Sequence, residues 1–310
     1  MTRAALFFLL VLSGLLANIQ AKADGLQLPG PPVSAANPGS KVYSYSVQGA
    51  EISCSGRKVN LFVPTGGSGS EVFPVLVYGH GQALSLENYQ ATLEHLAKKG
   101  IVVIFPAYDT GFFDTNWIRM GTDYVNLAAC AMASLGKQVT VEQVVFAGHS
   151  KGGYVAGVAA GVAFKNKMSI KPKTVILLEP AGADLDSLRF LDPSVSMTVV
   201  FSDHDTIVKE SIAQSIYSSA PSIIKQFIGL KSYDQTIPTV TADHFWPLTK
   251  SSAFGGGSEN ALHYYGEWKW LTAAALDVAA GAKFNNPYLY GEEALDKGIP
   301  NFKDSVQRSF

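Results

Sequence analysis

The sequence predicts an α/β protein with a mostly parallel central sheet and helices on both faces. Three observations carry this. Short apolar runs recur at residues 74–78, 101–105, 143–147, 174–178 and 197–201, the signature of strands covered on both sides. Helix-compatible stretches separate several of them, at 85–99, at 116–135 and after residue 150. Strands alternating with helices build parallel sheets. Third, Gly148-His149-Ser150-Lys151-Gly152 lies between an apolar run and a small-residue helical segment. That is the strand–turn–helix context of a nucleophile elbow.

The 310 residues are 47% hydrophobic and 16% charged, enough apolar material for one sizeable core. No repeat, low-complexity tract or linker interrupts the chain after residue 40, so residues 41–282 read as one domain. The net charge of −1 offers nothing to nucleic acid or to an anionic membrane. Residues 1–23 have the form of a secretory signal: Arg3, an apolar run over 4–16, and Ala21-Lys22-Ala23 as a small-x-small cleavage site before Asp24. The run is shorter than the roughly 20 apolar residues a spanning helix needs. The expected mature protein starts near Asp24, is secreted or periplasmic, and keeps no integral membrane segment. In an oxidising compartment Cys54 and Cys130, the only cysteines, can close one disulfide. Their spacing leaves that open against two buried thiols.

Residues 24–40, rich in Pro, Gly, Ser and Asn, read as a surface lead-in. Residues 41–47 alternate, with Tyr43, Tyr45 and Val47 on one side, and residues 58–63 are again β-rich. They are expected to pair antiparallel at a sheet edge. Ser85 is the expected N-cap and Gly100 the stop of the first helix. The strand over 143–147 leads into the elbow. Residues 223–230 form the expected last strand and 266–280 the last helix. Residues 283–310 read as a tail packed on the domain.

A serine hydroxyl needs a base to take its proton and a carboxylate to orient that base. In enzymes with this elbow, acid and then base follow the serine in chain order, each on a loop after a later strand. His204, His244 and His263 lie far enough beyond Ser150. Asp205 follows the 197–201 strand directly and is the expected acid; Asp203 and Glu179 are its rivals. His244, after the last strand, is the expected base, with His263 its rival. The Asp203-His204-Asp205 cluster is not read as a metal site, because successive side chains of an extended segment point apart. The oxyanion hole is expected from two backbone N–H groups. Lys151, after the nucleophile, supplies one. Gln82, in Tyr78-Gly79-His80-Gly81-Gln82, supplies the other.

These motifs, with Val199-Val200-Phe201-Ser202-Asp203-His204-Asp205 and Asp243-His244-Phe245, resemble the α/β-hydrolase superfamily. Within it they are most similar to the chlorophyllase-like and secreted cutinase/polyester-hydrolase (dienelactone hydrolase-like) branch of serine esterases. The elbow is similar to the Gly-His-Ser-Arg-Gly-Gly of chlorophyllases, with Lys151 in the arginine's place. The resemblance spans about residues 57–280. It implies an α/β-hydrolase fold, a carboxylic ester substrate and no cofactor; no long amphipathic insertion separates the strands, so no lid domain is expected, and no metal site is expected.

Tyr108, Phe112, Phe113 and Trp117 crowd one loop at the strand C-termini, and Phe245 and Trp246 flank the expected base. Ligands bind at that end of parallel sheets. Tyr108, Phe112, Trp117 and Trp246 are therefore expected to line a pocket for an apolar acyl or aryl group, in a small-molecule, lipid or polyester substrate. Asp109 and Asp114, in the same loop, are either orienting groups for a polar substrate or solvated carboxylates. The protein is expected to be a monomer. An acyltransferase using the same acyl-enzyme, a peptidase, and a non-catalytic binding protein on the same fold remain alternative classes.

Overall fold

In the computed structural model, residues 29–109, 111, 113–182, 185–232, 239–294 and 307–309 are described. The signal-like segment 1–23 and Phe112 lie outside them. Among the described residues one nine-stranded sheet runs, in spatial order, through β1 (Ser46–Cys54), β2 (Arg57–Thr65), β4 (Val102–Pro106), β3 (Phe73–Gly79), β5 (Val139–His149), β6 (Thr174–Leu178), β7 (Ser196–Ser202), β8 (Lys225–Leu230) and β9 (Gln307–Ser309). Its parallel centre consists of β3, β4, β5, β6, β7 and β8. These are the expected strands, with β5 starting earlier than its apolar run. Exposed positions Glu142 and Val141 lie in that extension, where hydrophobicity carries no signal.

Helices cover both faces, and the strand period sorts the core between them. On β3, Val75 and Val77 enter one apolar cluster with α2 (Trp117–Leu135), α3 (Lys151–Lys165) and α4 (Glu210–Ser219). Leu76 and Tyr78, the alternate residues, enter the other with α1 (Leu86–Lys98) and α5 (Trp268–Ala279). This is the single-domain, three-layer α/β architecture that the strand–helix alternation predicts. α1 starts as expected after Ser85, whose N–H donates to the Asn88 carboxamide at 2.9 Å. α4 is additional to the expected elements; its apolar stripe is short, with only Ala213 and Ile216 fully buried.

The first strand differs from expectation. β1 runs over Ser46–Cys54, not over 41–47, and pairs antiparallel with β2 (Arg57–Thr65) at the sheet edge. Ser55 and Gly56 both have positive φ, 53° and 78°, which suits a two-residue hairpin turn. The alternating tyrosines serve another purpose. The Tyr43 hydroxyl meets His95 Nδ1 at 3.2 Å and the Tyr45 ring packs edge-on against Phe73, so this segment lies across α1. The hairpin is stapled to α2 by a Cys54–Cys130 disulfide with Cα atoms 6.0 Å apart, which decides between the two cysteine readings.

At the other end, Leu289 is fully buried and the Tyr290 hydroxyl meets Ser196 Oγ at 2.7 Å. Residues Gln307–Ser309 form β9, antiparallel to β8. No helix among the described residues is long and apolar enough to cross a membrane.

Candidate active site

Ser150 sits between the end of β5 and the first residue of α3, with φ 55° and ψ −125°. A non-glycine residue in that region is strained, and its surroundings must hold it there. Here β6 does so. The Ser150 N–H donates to Leu178 O at 2.9 Å, and its C=O accepts from Ala181 N–H at 3.0 Å and Tyr154 N–H at 3.1 Å. The flanking glycines make the turn sterically possible. A Cβ on Gly152 would lie 2.2 Å from the Gly79 carbonyl, and one on Gly148 would lie 2.5 Å from Gly152 O. The end of β3 and the start of α3 are therefore in backbone contact.

Three side chains from three strand ends converge. His244 Nε2 lies 2.8 Å from Ser150 Oγ. His244 Nδ1 lies 2.7 Å from Asp205 Oδ2. The side chains of His244 and Asp205 are 3% and 0% exposed, so water does not compete for these bonds. Asp205 Oδ1 accepts the Ile207 and Val208 N–H groups, both at 2.8 Å. Burial raises the Asp205 carboxyl, but the bonds from His244 and the two amides outweigh it and leave the group below its ordinary range. An ionised carboxylate only accepts, so the proton of His244 sits on Nδ1. Nε2 is left to accept from the serine hydroxyl. Asp205 thus caps its own turn with one oxygen and holds His244 with the other.

The rival residues are engaged elsewhere. Asp203 Oδ1 accepts the Ser232 N–H at 3.0 Å and contacts His204 Nδ1 at 2.9 Å. Glu179 is fully buried; it accepts the Ser202 N–H at 3.1 Å and the Trp246 indole N–H at 2.7 Å. Burial pushes its carboxyl well above the ordinary range. His263 is packed edge-on against Trp246 and Trp268, and burial pushes its pKa down to about 4.

Lys151 opens α3, where the first N–H groups have no intrahelical acceptor. Gln82 lies in the turn after β3, exposed. Gly79 and Gly148 pair across the β3–β5 ladder, so both expected oxyanion donors lie at the same end of adjacent strands.

The aromatic residues divide. Trp117 is half-buried and edge-on to Tyr154, and Phe245 stacks on the exposed Phe254. Tyr108 and Trp246 are interior instead, at 0% and 3% exposure. The Tyr108 hydroxyl bonds the His80 carbonyl and its ring stacks on His80, while the Trp246 indole is taken by Glu179. Both are thus interior side chains whose polar groups are taken by the protein itself. Both loop carboxylates have cationic partners: Asp114 pairs with Arg119, and Asp109, partly exposed, lies 3.5 Å from the buried Lys151 Nζ. Arg57 donates to the carbonyls of Tyr108 and Asp109 at 3.1 and 2.9 Å, pinning the loop to β2.

A model of the chlorophyllase family matches residues 41–200, just over half of the sequence. The chain belongs to the chlorophyllase family. It is thereby an α/β hydrolase, as the sheet order and elbow also indicate. The matched span of this chlorophyllase-family chain carries the elbow and the Gln82 turn. It ends before Asp205 and His244, whose placement rests on the geometry above. A search of curated proteins finds no match.

Two residues that motif reasoning passes over are bonded into the site. His149 Nε2 lies 2.7 Å from the backbone oxygen of His244, and His149 Nδ1 lies 2.8 Å from the Tyr89 hydroxyl. The sequence marks His149 as the second residue of Gly-x-Ser-x-Gly, shared with the chlorophyllase elbow but given no role, and Tyr89 only as one apolar position of a helix.

Proposed function

We propose that this protein is a serine esterase that cleaves carboxylic esters through an acyl-enzyme. The hydrogen-bonded series Ser150–His244–Asp205 carries the reading. His244 Nε2 takes the Ser150 proton as Oγ forms a bond to the ester carbonyl carbon, and the carbonyl π pair moves onto oxygen. The backbone N–H groups of Lys151 and Gln82 receive that oxyanion. As the carbonyl re-forms, the C–O bond to the alcohol breaks and the alkoxide leaves with the proton from Nε2. Water then repeats the sequence and releases the acid. Asp205 keeps the proton of His244 on Nδ1 and stabilises the imidazolium.

Trp117, Phe245 and Phe254 near the loops favour an apolar acyl or aryl group, as in a lipid or polyester. The Cys54–Cys130 disulfide supports a secreted or periplasmic location, since such bonds persist in oxidising compartments.

Ser150→Ala tests the reading. Loss of a nucleophile of this kind costs about 10⁴- to 10⁶-fold in turnover. The variant is expected to lose hydrolysis of short p-nitrophenyl esters and labelling by a fluorophosphonate. A variant that keeps both overturns the assignment. Product analysis with added alcohols separates hydrolysis from acyl transfer.

A further inference from the structure

His149 is fully buried and the chemistry above gives it no task, yet both of its ring nitrogens are engaged. The series runs from Gly81 to Tyr89 to His149 to His244. The Tyr89 phenol oxygen accepts the Gly81 N–H at 2.9 Å. It meets His149 Nδ1 at 2.8 Å, and His149 Nε2 meets the His244 carbonyl at 2.7 Å. The two ends set the polarity. A carbonyl only accepts, so His149 Nε2 carries the ring proton. An amide only donates, so the phenol receives it and turns its own proton to Nδ1. Every donor then has one acceptor. Burial, reinforced by neighbouring His244, pushes the His149 pKa down to about 3, so the ring is neutral and holds this single tautomer.

The members come from four separate parts of the fold. Gly81 precedes Gln82, Tyr89 is on α1, His149 ends β5 beside Ser150, and the His244 carbonyl belongs to the residue whose ring faces Ser150. A Cβ on Gly81 would lie 3.1 Å from Tyr89 Oη and 3.2 Å from His149 Nδ1. The oxyanion turn therefore rests directly on this pair. In a dry interior such bonds are strong when complete and costly when broken.

We propose that Tyr89 and His149 form a positioning relay that holds the Gly81–Gln82 turn and the His244 backbone in register with Ser150. The proposal rests on the serine-esterase reading. Neither side chain touches the reacting atoms; both act through the groups that do. The relay couples the oxyanion turn to the base, so breaking it misplaces both together, and a shift of about 1 Å in such groups costs on the order of 10²-fold in rate. A bond that served folding alone would lower stability and leave turnover per folded molecule intact.

The test uses the purified chain and three variants. Tyr89→Phe keeps the ring and removes the hydroxyl. His149→Leu removes donor and acceptor. His149→Gln restores one donor and one acceptor at nearly the spacing of the ring nitrogens. Competent sites are counted by titration with a p-nitrophenyl alkylphosphonate. Then kcat and KM for p-nitrophenyl butyrate, and the rate of phosphonylation, are measured per site. Tyr89→Phe and His149→Leu are expected to lower kcat and the phosphonylation rate by about 10- to 100-fold with KM within about twofold, and His149→Gln to recover to within about fivefold of the parent. Tyr89→Phe turning over within about twofold of the parent per site, whatever its melting temperature, overturns the relay, as does a loss carried by KM alone. If His149→Leu does not fold, Tyr89→Phe against His149→Gln decides. Ser150→Ala is run alongside. Hydrolysis retained there sinks the serine reading itself. Hydrolysis lost there, with the relay variants unaffected, sinks only the relay.

Discussion

The Glu179 carboxyl accepts the indole N–H of Trp246 at 2.7 Å, two residues beyond His244 in the chain. The same group bonds the N–H and hydroxyl of Ser202, three residues before Asp205. Glu179 thus ties the strand end just before Asp205 to the loop that carries His244, without contact to either ring nitrogen of His244. It directly follows its own strand, β6, as an acid would, but its oxygens are spent on Ser202 and Trp246.

This separates the two carboxyls experimentally. Asp205→Asn is expected to lower kcat by about 10⁴-fold, because an amide no longer enforces the Nδ1–H tautomer. Glu179→Gln is expected to keep turnover within about tenfold, and Glu179→Ala to lose about 1–3 kcal/mol of stability by leaving buried donors unpaired. Steady-state kinetics and denaturant melts check both. The opposite ranking in kcat would exchange the roles.

The backbone contact at the elbow predicts an intolerant glycine. Gly152→Ala places a Cβ 2.2 Å from the Gly79 carbonyl and 2.4 Å from His80 O, both backbone and unable to swing aside. The chain must part β3 from α3, which shifts Ser150 and the Gln82 turn together. Gly30→Ala, with nothing within 4 Å, is the matched control and should behave as the parent. Expression yield and ester hydrolysis measured on both variants test the contrast.

The disulfide joins residues 76 apart, tying the edge hairpin to α2. Closing a loop of that size lowers the entropy of the unfolded chain, with typical stabilisation of about 2–4 kcal/mol. Cys54→Ser/Cys130→Ser should lose about that much unfolding free energy and so melt at lower denaturant, and reductant should lower the parent's midpoint toward the variant's. A parent insensitive to reductant after full thiol exposure contradicts the role.

Stability should fall as pH rises from about 4.3 to about 8 through Glu267. Burial pushes its carboxyl up to about 8, against hydrogen bonds from Tyr78 and Thr92. The unfolded carboxyl releases its proton near pH ~4.3. Between these values the native state holds a proton that the unfolded state has lost, so stability falls as pH rises. The contribution is complete below the unfolded pKa and gone above the folded one. Glu267→Gln removes this slope, so its melting temperature relative to the parent should climb between about pH 5 and pH 9. A pH-independent difference would rule out a buried titrating acid.

Much of the fold was legible because buried parallel strands leave continuous apolar runs, and β4, β6 and β7 emerge almost residue for residue. β1 was not legible. Its residues Gln48 to Glu51 are polar or small and largely exposed, so no hydrophobic period marks them, while Tyr43 and Tyr45 alternate because one ring meets His95 of α1 and the other Phe73 of β3, and so mimic a strand. α4 escaped for the related reason that only two of its residues are fully buried.

The sequence by itself determined the elbow and the order in which its partners must come, because a parallel sheet delivers successive loops to one edge and chain order ranks them. It also determined the need for glycine on both sides of the turn. Only the tertiary structure decided which oxygen meets which nitrogen. Asp203, Asp205 and Glu179 all lie just past strand ends, and the direction of each side chain depends on contacts from Ser232, His244 and Trp246, distant in the chain. The same holds for the cysteine pair, for the burial of Tyr108 and Trp246, and for His149, whose two bonds reach residues 60 and 95 positions away. Local pattern encodes which face a residue takes, whereas hydrogen-bond partnership is fixed by long-range packing that no single stretch contains.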